Sequence, residues 1–449
     1  MTQTLHADWA LLPDGMTRDV RVRLDGPEIA EVAAGVAPRP GEARVGLLAP
    51  AMPNLHSHAF QRAMAGIAER RAADAESFWT WREAMYGLAL TMSPEDVEAV
   101  AAQLYVEMLE AGFASVGEFH YLHHDRDGRP YADPAEMAGR IAAAAGAAGV
   151  GLTLLPVFYA HSGFGGAPPG PDQRRFICDL DLYARLLEAS RRHLADLPGA
   201  RLGVAPHSLR AATAEELTRV VALAGDGPIH IHVAEQTKEV EDCVAATGAR
   251  PVRWLLDNAP VDARWCLIHA THMRPDETQD MAKAGATAGL CPLTEANLGD
   301  GVFDLPRFLA AGGAFGVGSD SNVQIGLADE LRMLEYSQRL ALRQRCVAAP
   351  PGGSTGRALY QGALAGGAKA LGRRIGIAPG ADADLVGLDL DQPTLAGRGG
   401  ETLLDAWAFA GARIDRVWAR GALKVARGRH VARDDIFARF KTAIRRLTA

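Results

Sequence analysis

Eight apolar runs recur along the middle of this chain, near residues 49–55, 114–119, 151–158, 201–206, 229–233, 265–269, 287–291 and 314–318, with helical patterns between most of them. No other feature limits the possible folds as much. Strands alternating with helices pair in parallel through right-handed crossovers, and eight such units are what a (β/α)8 TIM-like barrel needs. An open doubly wound sheet is the alternative that rhythm alone leaves standing. The joins follow one rule. Ala111-Gly112, Ala148-Gly149, Ala284-Gly285 and Ala311-Gly312 each set a glycine after a helical stretch and before a strand, where a left-handed cap belongs. Ser93-Pro94-Glu95-Asp96 and Thr213-Ala214-Glu215-Glu216 read as helix starts, with a capping hydroxyl and acids that suit the helix dipole.

The chain ends have a different texture. Val20 to Leu24 alternates, Asp25-Gly26-Pro27 turns, and Ile29 to Val32 resumes the strand; short strands return at Asp384–Leu388 and Arg416–Gly421. Neither end alone has enough strands for a stable sheet. The expectation is one small β-sandwich domain built from residues 1–48 and 376–449, the latter adding a terminal helix, with a barrel over 49–375 between them.

Composition excludes several functions. A net charge of −7 argues against nucleic acid or an anionic membrane as partner. The five cysteines are scattered, odd in number and without a CxxC pair, which fits a reducing cytoplasm and disfavours a thiolate zinc site. The opening MTQTLHADWALLPDG lacks the layout of a signal peptide. Ile141 to Phe158 carries no charge, but Gly146, Gly149, Gly151 and Pro156 interrupt it, so a helix end, a turn and a buried strand explain it better than a membrane span.

Chemistry enters at the strand ends. Leu55-His56-Ser57-His58 closes the first strand, and two histidines at spacing two project from one side of an extended segment. His232 closes the fifth strand, His269 ends the sixth, and Asp320 follows the eighth after Gly316-Val317-Gly318-Ser319. In a barrel these ends meet at one mouth, where active sites lie. An isolated HxH is usually a packing or surface pair, and His230 has the same spacing to His232 yet reads as a core or supporting residue. Imidazoles and a carboxylate at the ends of strands one, five, six and eight point instead to a metal.

The LHSH element, HVAE on strand five, IHAT on strand six and GSDS after strand eight resemble the amidohydrolase superfamily over essentially the whole length. The segment Pro379 to Val386 resembles that family's return into its small β domain. The likeness implies His56, His58, His232 and Asp320 as ligands, with His269 beside the metal. Binuclear relatives often bridge two ions with a carboxylated lysine from strand four, but no lysine precedes Lys238 here. Glu118, at the end of strand two, is the only evident substitute. The expectation is therefore one divalent ion per subunit; three imidazoles and a carboxylate suit Zn2+, with Fe2+ as the alternative.

Glu235, three residues after His232, is placed to shuttle a proton to a leaving nitrogen, and Asp320 to accept the proton of an activated water. His269 is placed to stabilise a tetrahedral adduct. His-x-x-Glu resembles the deaminase branch of the superfamily. Longer stretches narrow the branch: Met52 to Arg62, Phe78 to Tyr86, Gly117 to His123, Ala205 to Arg210 and Cys291 to Gly301 look like the N-formimidoyl-L-glutamate deiminases of histidine degradation. That resemblance implies a small dicarboxylate substrate, whose carboxylates need donors once desolvated. Arg82 and Arg210 are the candidate cations, with Gln61, Tyr121 and His207 as further donors. The Phe78, Trp79 and Trp81 cluster reads either as packing or as a floor for a stacked base, which keeps a purine, pyrimidine or triazine aminohydrolase as the alternative. The family leads to the expectation of a homodimer. His161 and His272 follow strands but receive no role.

Overall fold

The computed structural model of the chain describes residues 2–69 and 78–448. Four strands open the fold: β1 (Thr2–Leu12), β2 (Gly15–Asp25), β3 (Glu28–Ala33) and β4 (Ala43–Pro50). β1 and β2 pair antiparallel, β2 and β3 form a hairpin in which Leu24 faces Ile29, and β4 runs parallel to β1.

The chain then leaves this sheet for a run of strands and helices. These are β5 (Met52–Ser57), the helices α1 (Phe78–Ala89) and α2 (Pro94–Glu110), β6 (Phe113–His120), α3 (Glu136–Ala148) and β7 (Gly151–Phe158). Two short strands follow, β8 (Arg201–Leu202) and β9 (Ala205–Pro206), then β10 (Ile229–Val233), β11 (Trp265–His269), β12 (Thr287–Leu290) and β13 (Ala314–Val317). Finally β14 (Leu385–Leu388), β15 (Arg416–Ala419), β16 (Ala422–Ala426) and β17 (Arg429–His430) return to the first sheet. Its order is β17-β16-β15-β14-β4-β1-β2-β3, so both chain ends build one eight-stranded sheet. A separate apolar cluster that includes Leu5, Val22, Leu48, Leu385 and Trp418 fills it.

The strands between are parallel and form two sheets, β5-β6-β7-β8 with β9 beside β7, and β10-β11-β12-β13. Their edges meet twice. Ser57 bridges Asp320 on one side; Val204 bridges Ile229 and Ser208 bridges His232 on the other. β6, β7, β10 and β11 are buried along their whole length, as strands covered on both faces should be.

Local signals hold. Ser93 caps α2 with a complete capping box, since Asp96 N–H donates to Ser93 Oγ (3.2 Å) and Ser93 N–H donates to Asp96 Oδ2 (2.9 Å). Thr213 does the same for the helix Ala214–Leu223. Gly149 and Gly285 cap their helices at φ 80° and 78°, a conformation that costs a side chain strain. The uncharged stretch 141–158 is the end of α3, this cap and β7. Among the described residues no helix is long and apolar enough to cross a membrane. The five cysteines are free thiols, four of them buried.

Two strand positions differ from the sequence reading. The run at 49–55 is two strands: Ala49 and Pro50 finish β4, and Ala51 breaks the line by donating its N–H to Asp384 O (2.9 Å), so β5 extends instead to Ser57. The run at 201–206 is interrupted at Gly203, where a Cβ would lie 2.5 Å from Pro228 O. The close approach there replaces regular pairing with the single bridge at Val204.

Candidate active site

His56, His58, His232 and Asp320 converge, each offering an atom within 4.8 Å of the others. His56 Nε2 lies 3.0 Å from His232 Nε2 and 3.2 Å from His58 Nε2. Asp320 Oδ1 is 3.1 Å from His58 Nε2 and 3.4 Å from His56 Nε2. The far ring nitrogens fix two tautomers. His58 Nδ1–H donates to Phe119 O (2.9 Å) and His232 Nδ1–H to His207 O (3.1 Å), so their Nε2 lone pairs face the centre. Burial pushes His56 down to about 3 and His232 well below the usual histidine range, which keeps both uncharged at neutral pH. Burial would raise Asp320, but the His56 and His58 rings beside it hold it well below the usual carboxylate range. Lone pairs brought this close repel unless a cation lies between them. The donor set therefore fits a divalent ion, with nitrogen and oxygen ligands of the kind zinc takes.

The backbone is bent to achieve this. His269 (φ 66°), Ala270 (φ 47°) and Asp320 (φ 46°) occupy the left-handed region, uncommon for residues with side chains. A buried polar network holds the Asp320 turn. Asn54 Nδ2–H donates to Ser319 Oγ (2.7 Å), Ser319 N–H to Asn54 Oδ1 (3.1 Å), and Ser319 Oγ–H to Asn322 Oδ1 (2.6 Å). Asn322 Nδ2–H then reaches His58 O (3.0 Å), and Asp320 N–H reaches His56 O (3.0 Å). The turn is thereby tied to the histidine strand it must meet.

Beside the cluster sit Glu235 and His269. His269 Nε2 is 3.5 Å from Glu235 Oε1 and 3.8 Å from Asp320 Oδ2, and its Nδ1–H donates to Glu295 (3.2 Å). Burial alone would lower His269, yet the carboxylates of Glu235, Glu295 and Asp320 hold it well above its usual range. Burial raises Glu235 to about 7, a value suited to moving protons near neutrality. Glu239 Oε2 accepts the Glu235 N–H (3.0 Å). Glu295 and Asp300 received no role from the sequence, although both lie in the Cys291–Gly301 stretch, and a carboxylate shortly after strand seven was the available signal. The atoms of Asp300, Glu235 and His269 lie within 4.8 Å of one another.

A small cavity of about 50 Å3 opens onto His58, His232, Glu235, His269 and Asp320. Gln61, Arg82, Tyr121, His207 and Arg210 all line it, as do Trp81, Met85, Tyr86, Tyr159, Phe176 and Leu298. Gln61 Nε2–H donates to the Tyr121 hydroxyl (2.7 Å). The Arg82 guanidinium lies 5.6 Å from the centre of the Tyr86 ring. The Phe78 and Trp79 side chains lie outside the described residues; Trp81 faces the cavity. Tyr86 closes the Phe78–Tyr86 stretch but was given no role there; Tyr159 and Phe176 gave no sequence signal beyond being aromatic.

Other candidates are occupied elsewhere. Glu118 is not in the cluster: it accepts from Ala59 N–H (2.6 Å) and the Tyr105 hydroxyl (3.1 Å), securing the turn after His58. His230 bonds Ala370 O (2.9 Å) in the core. His161 pairs with Glu216 (2.9 Å) at a helix start. His272 is absent from the cavity wall and from the clustered groups.

The chain belongs to the amidohydrolase family, which residues 47–424 match. Residues 2–46 match the N-terminal domain of formimidoylglutamate deiminase HutF. Over 96% of both chains it is 51% identical to the formimidoylglutamate deiminase of Pseudomonas aeruginosa. A crystal structure of an amidohydrolase from Brucella melitensis superposes with a TM-score of 0.97, at 58% identity and full coverage of both chains. The atrazine chlorohydrolase TrzN of Arthrobacter aurescens TC1, complexed with zinc, shares the fold: its TM-score is 0.84 at 20% identity, covering 98% of this chain and 99% of that one.

Proposed function

We propose that this chain hydrolyses the formimidoyl C–N bond of N-formimidoyl-L-glutamate, giving N-formyl-L-glutamate and ammonia in histidine degradation. One observation carries the reading: His58, His232 and Asp320 of the four-residue ligand set, together with the buried Glu235, open onto a cavity lined by Arg82 and Arg210. The kinship with a formimidoylglutamate deiminase over 96% of each chain supports it.

His56, His58, His232 and Asp320 hold a single ion, Zn2+ in this reading, with Fe2+ as the alternative. When bound, such an ion lowers the pKa of water to about 7 and so supplies a nucleophile at neutral pH. Asp320 accepts the proton released as the new C–O bond forms. His269, oriented by Glu295, donates from Nε2 toward the adduct and balances its charge. Glu235 carries the adduct's hydroxyl proton to the departing nitrogen as the formyl C=O forms, the C–N bond breaks, and ammonia leaves, taking up the proton that Asp320 held. Arg82 and Arg210 bind the substrate carboxylates, since a guanidinium matches a carboxylate in a planar fork. Gln61, Tyr121 and His207 supply further hydrogen bonds.

The same reading treats the two parallel sheets as arcs of one (β/α)8 barrel over residues 49–375. The bridges from Ser57 to Asp320 and from Val204 to Ile229 support closure. Residues 1–48 and 376–449 then form the small β sandwich, supported by their shared sheet and separate core.

Ammonia release from N-formimidoyl-L-glutamate, guanine and cytosine, measured side by side, tests the substrate. Turnover confined to the first is expected. Deamination of a base without turnover of formimidoylglutamate would transfer the chain to the nucleobase branch.

A further inference from the structure

Arg175 is completely buried, yet it lies outside the ligand cluster, and its hydrogen-bond partners include three main-chain carbonyls, with Tyr131 and the Asp125 carboxylate nearby. Taking a guanidinium out of water is costly even with Asp125 near it, so its placement needs a reason. The partners supply one. Its Nη1 donates to Ala89 O, the last residue of α1, and to Met92 O in the turn that follows (2.8 Å). Its Nε donates to His124 O (2.8 Å), while its own carbonyl accepts from His123 N–H (2.9 Å) and His124 N–H (3.0 Å). One residue thus ties together three segments: the end of α1, the stretch after β6 and the stretch after β7.

All three segments carry cavity wall. α1 brings Arg82 and Tyr86, the stretch after β6 brings Tyr121, and Phe176 is the next residue along the chain from Arg175. The Phe176 ring centre stands 5.1 Å from that of Tyr121 and 5.7 Å from that of Tyr86. Gln173, two residues earlier, donates to the Tyr159 hydroxyl (2.7 Å) and lies 3.5 Å from that of Tyr86. The last carbonyls of a helix have no partners within it, and a cation there also answers the helix dipole. Arg175 is that cation for α1.

We infer that Arg175 is a positioning residue for substrate binding: by capping α1 it fixes Arg82 and Tyr86 over the cavity, without touching substrate or metal. The inference rests on the substrate reading above. It separates binding from chemistry, because the metal cluster is held by β5, β10 and the Asp320 turn, none of which Arg175 contacts.

The test is steady-state kinetics of the metal-loaded enzyme and its Arg175→Met and Arg175→Lys variants on N-formimidoyl-L-glutamate, with metal content and circular dichroism as controls. Arg175→Met is expected to raise KM about tenfold or more while kcat changes less than about threefold and metal content stays at one ion per chain. Arg175→Lys, which keeps the charge but not the fork, should fall between Met and wild type. In an Arg82→Ala background, Arg175→Met should add less than about twofold to KM, since the cation it positions is gone. An active wild type with an unchanged KM in Arg175→Met overturns the inference. So does full additivity with Arg82→Ala, or a failure of both Arg175 variants to fold, which would make the residue a requirement of the fold alone. A wild type that releases no ammonia from this substrate contradicts the substrate assignment instead.

Discussion

The metal end of the cavity and its substrate wall are built on different principles. At the metal end, His56 and His232 sit on strands, and the Asp320 turn is tied back to one of them by Asn54, Ser319 and Asn322. On the facing wall, Arg82, Met85 and Tyr86 ride on one helix, α1, secured at its far end by Arg175. The first region is held by neighbouring strands and by several buried hydrogen bonds at once. The second depends on a few contacts between segments distant in sequence. In the proposed reading, chemistry that needs exact placement occupies the first, and recognition of a flexible dicarboxylate the second.

Substitutions can break this division or sharpen it. His232→Ala should have the largest effect, abolishing both metal binding and turnover; metal analysis alongside an ammonia assay checks it. An active, metal-free variant would remove the cluster from the chemistry. Glu235→Gln should retain metal and reduce kcat by roughly 10^2 to 10^4-fold, the usual contribution of a positioned proton-transfer group. Near-normal kcat would require another group to move the proton. Asn322→Ala, away from the reacting atoms, should cost about 10- to 100-fold in activity or metal affinity through loosening of the Asp320 turn. A silent Asn322→Ala would show that the strands alone suffice. Arg82→Ala should leave metal content and fold intact while weakening substrate binding by about 1.5–3 kcal/mol, a KM increase of roughly 10- to 150-fold. If kcat fell while KM held, the wall would belong to the chemistry and the division would fail. Ser93→Ala, at the cap of α2, should lower stability by about 1 kcal/mol in thermal unfolding and leave kinetics unchanged.

The same division governs what could be read from the sequence. His56, His58, His232, His269 and Asp320 were legible because each follows an apolar run, and parallel strands deliver their ends to one side of the molecule. The small sheet shared by both chain ends was legible from the lack of enough strands at either end. Gly203 and Ala51 misled the strand boundaries, because a close backbone approach and a single hydrogen bond to Asp384 O leave no trace in hydrophobic pattern. Glu295 was invisible as a partner of His269, since 26 residues separate them and only the fold makes them neighbours. Arg175 stands in an unpatterned loop and bonds to main-chain carbonyls, which every residue possesses, so no side-chain motif announces it.

The central claim is that one ion, gripped by His56, His58, His232 and Asp320, powers ammonia release from N-formimidoyl-L-glutamate. The direct measurement is to strip the protein with a chelator and follow that reaction as Zn2+ is returned. Activity should vanish on stripping and climb linearly to a plateau at one equivalent per chain. Unchanged activity in the stripped protein, or a plateau only at two equivalents, would contradict it.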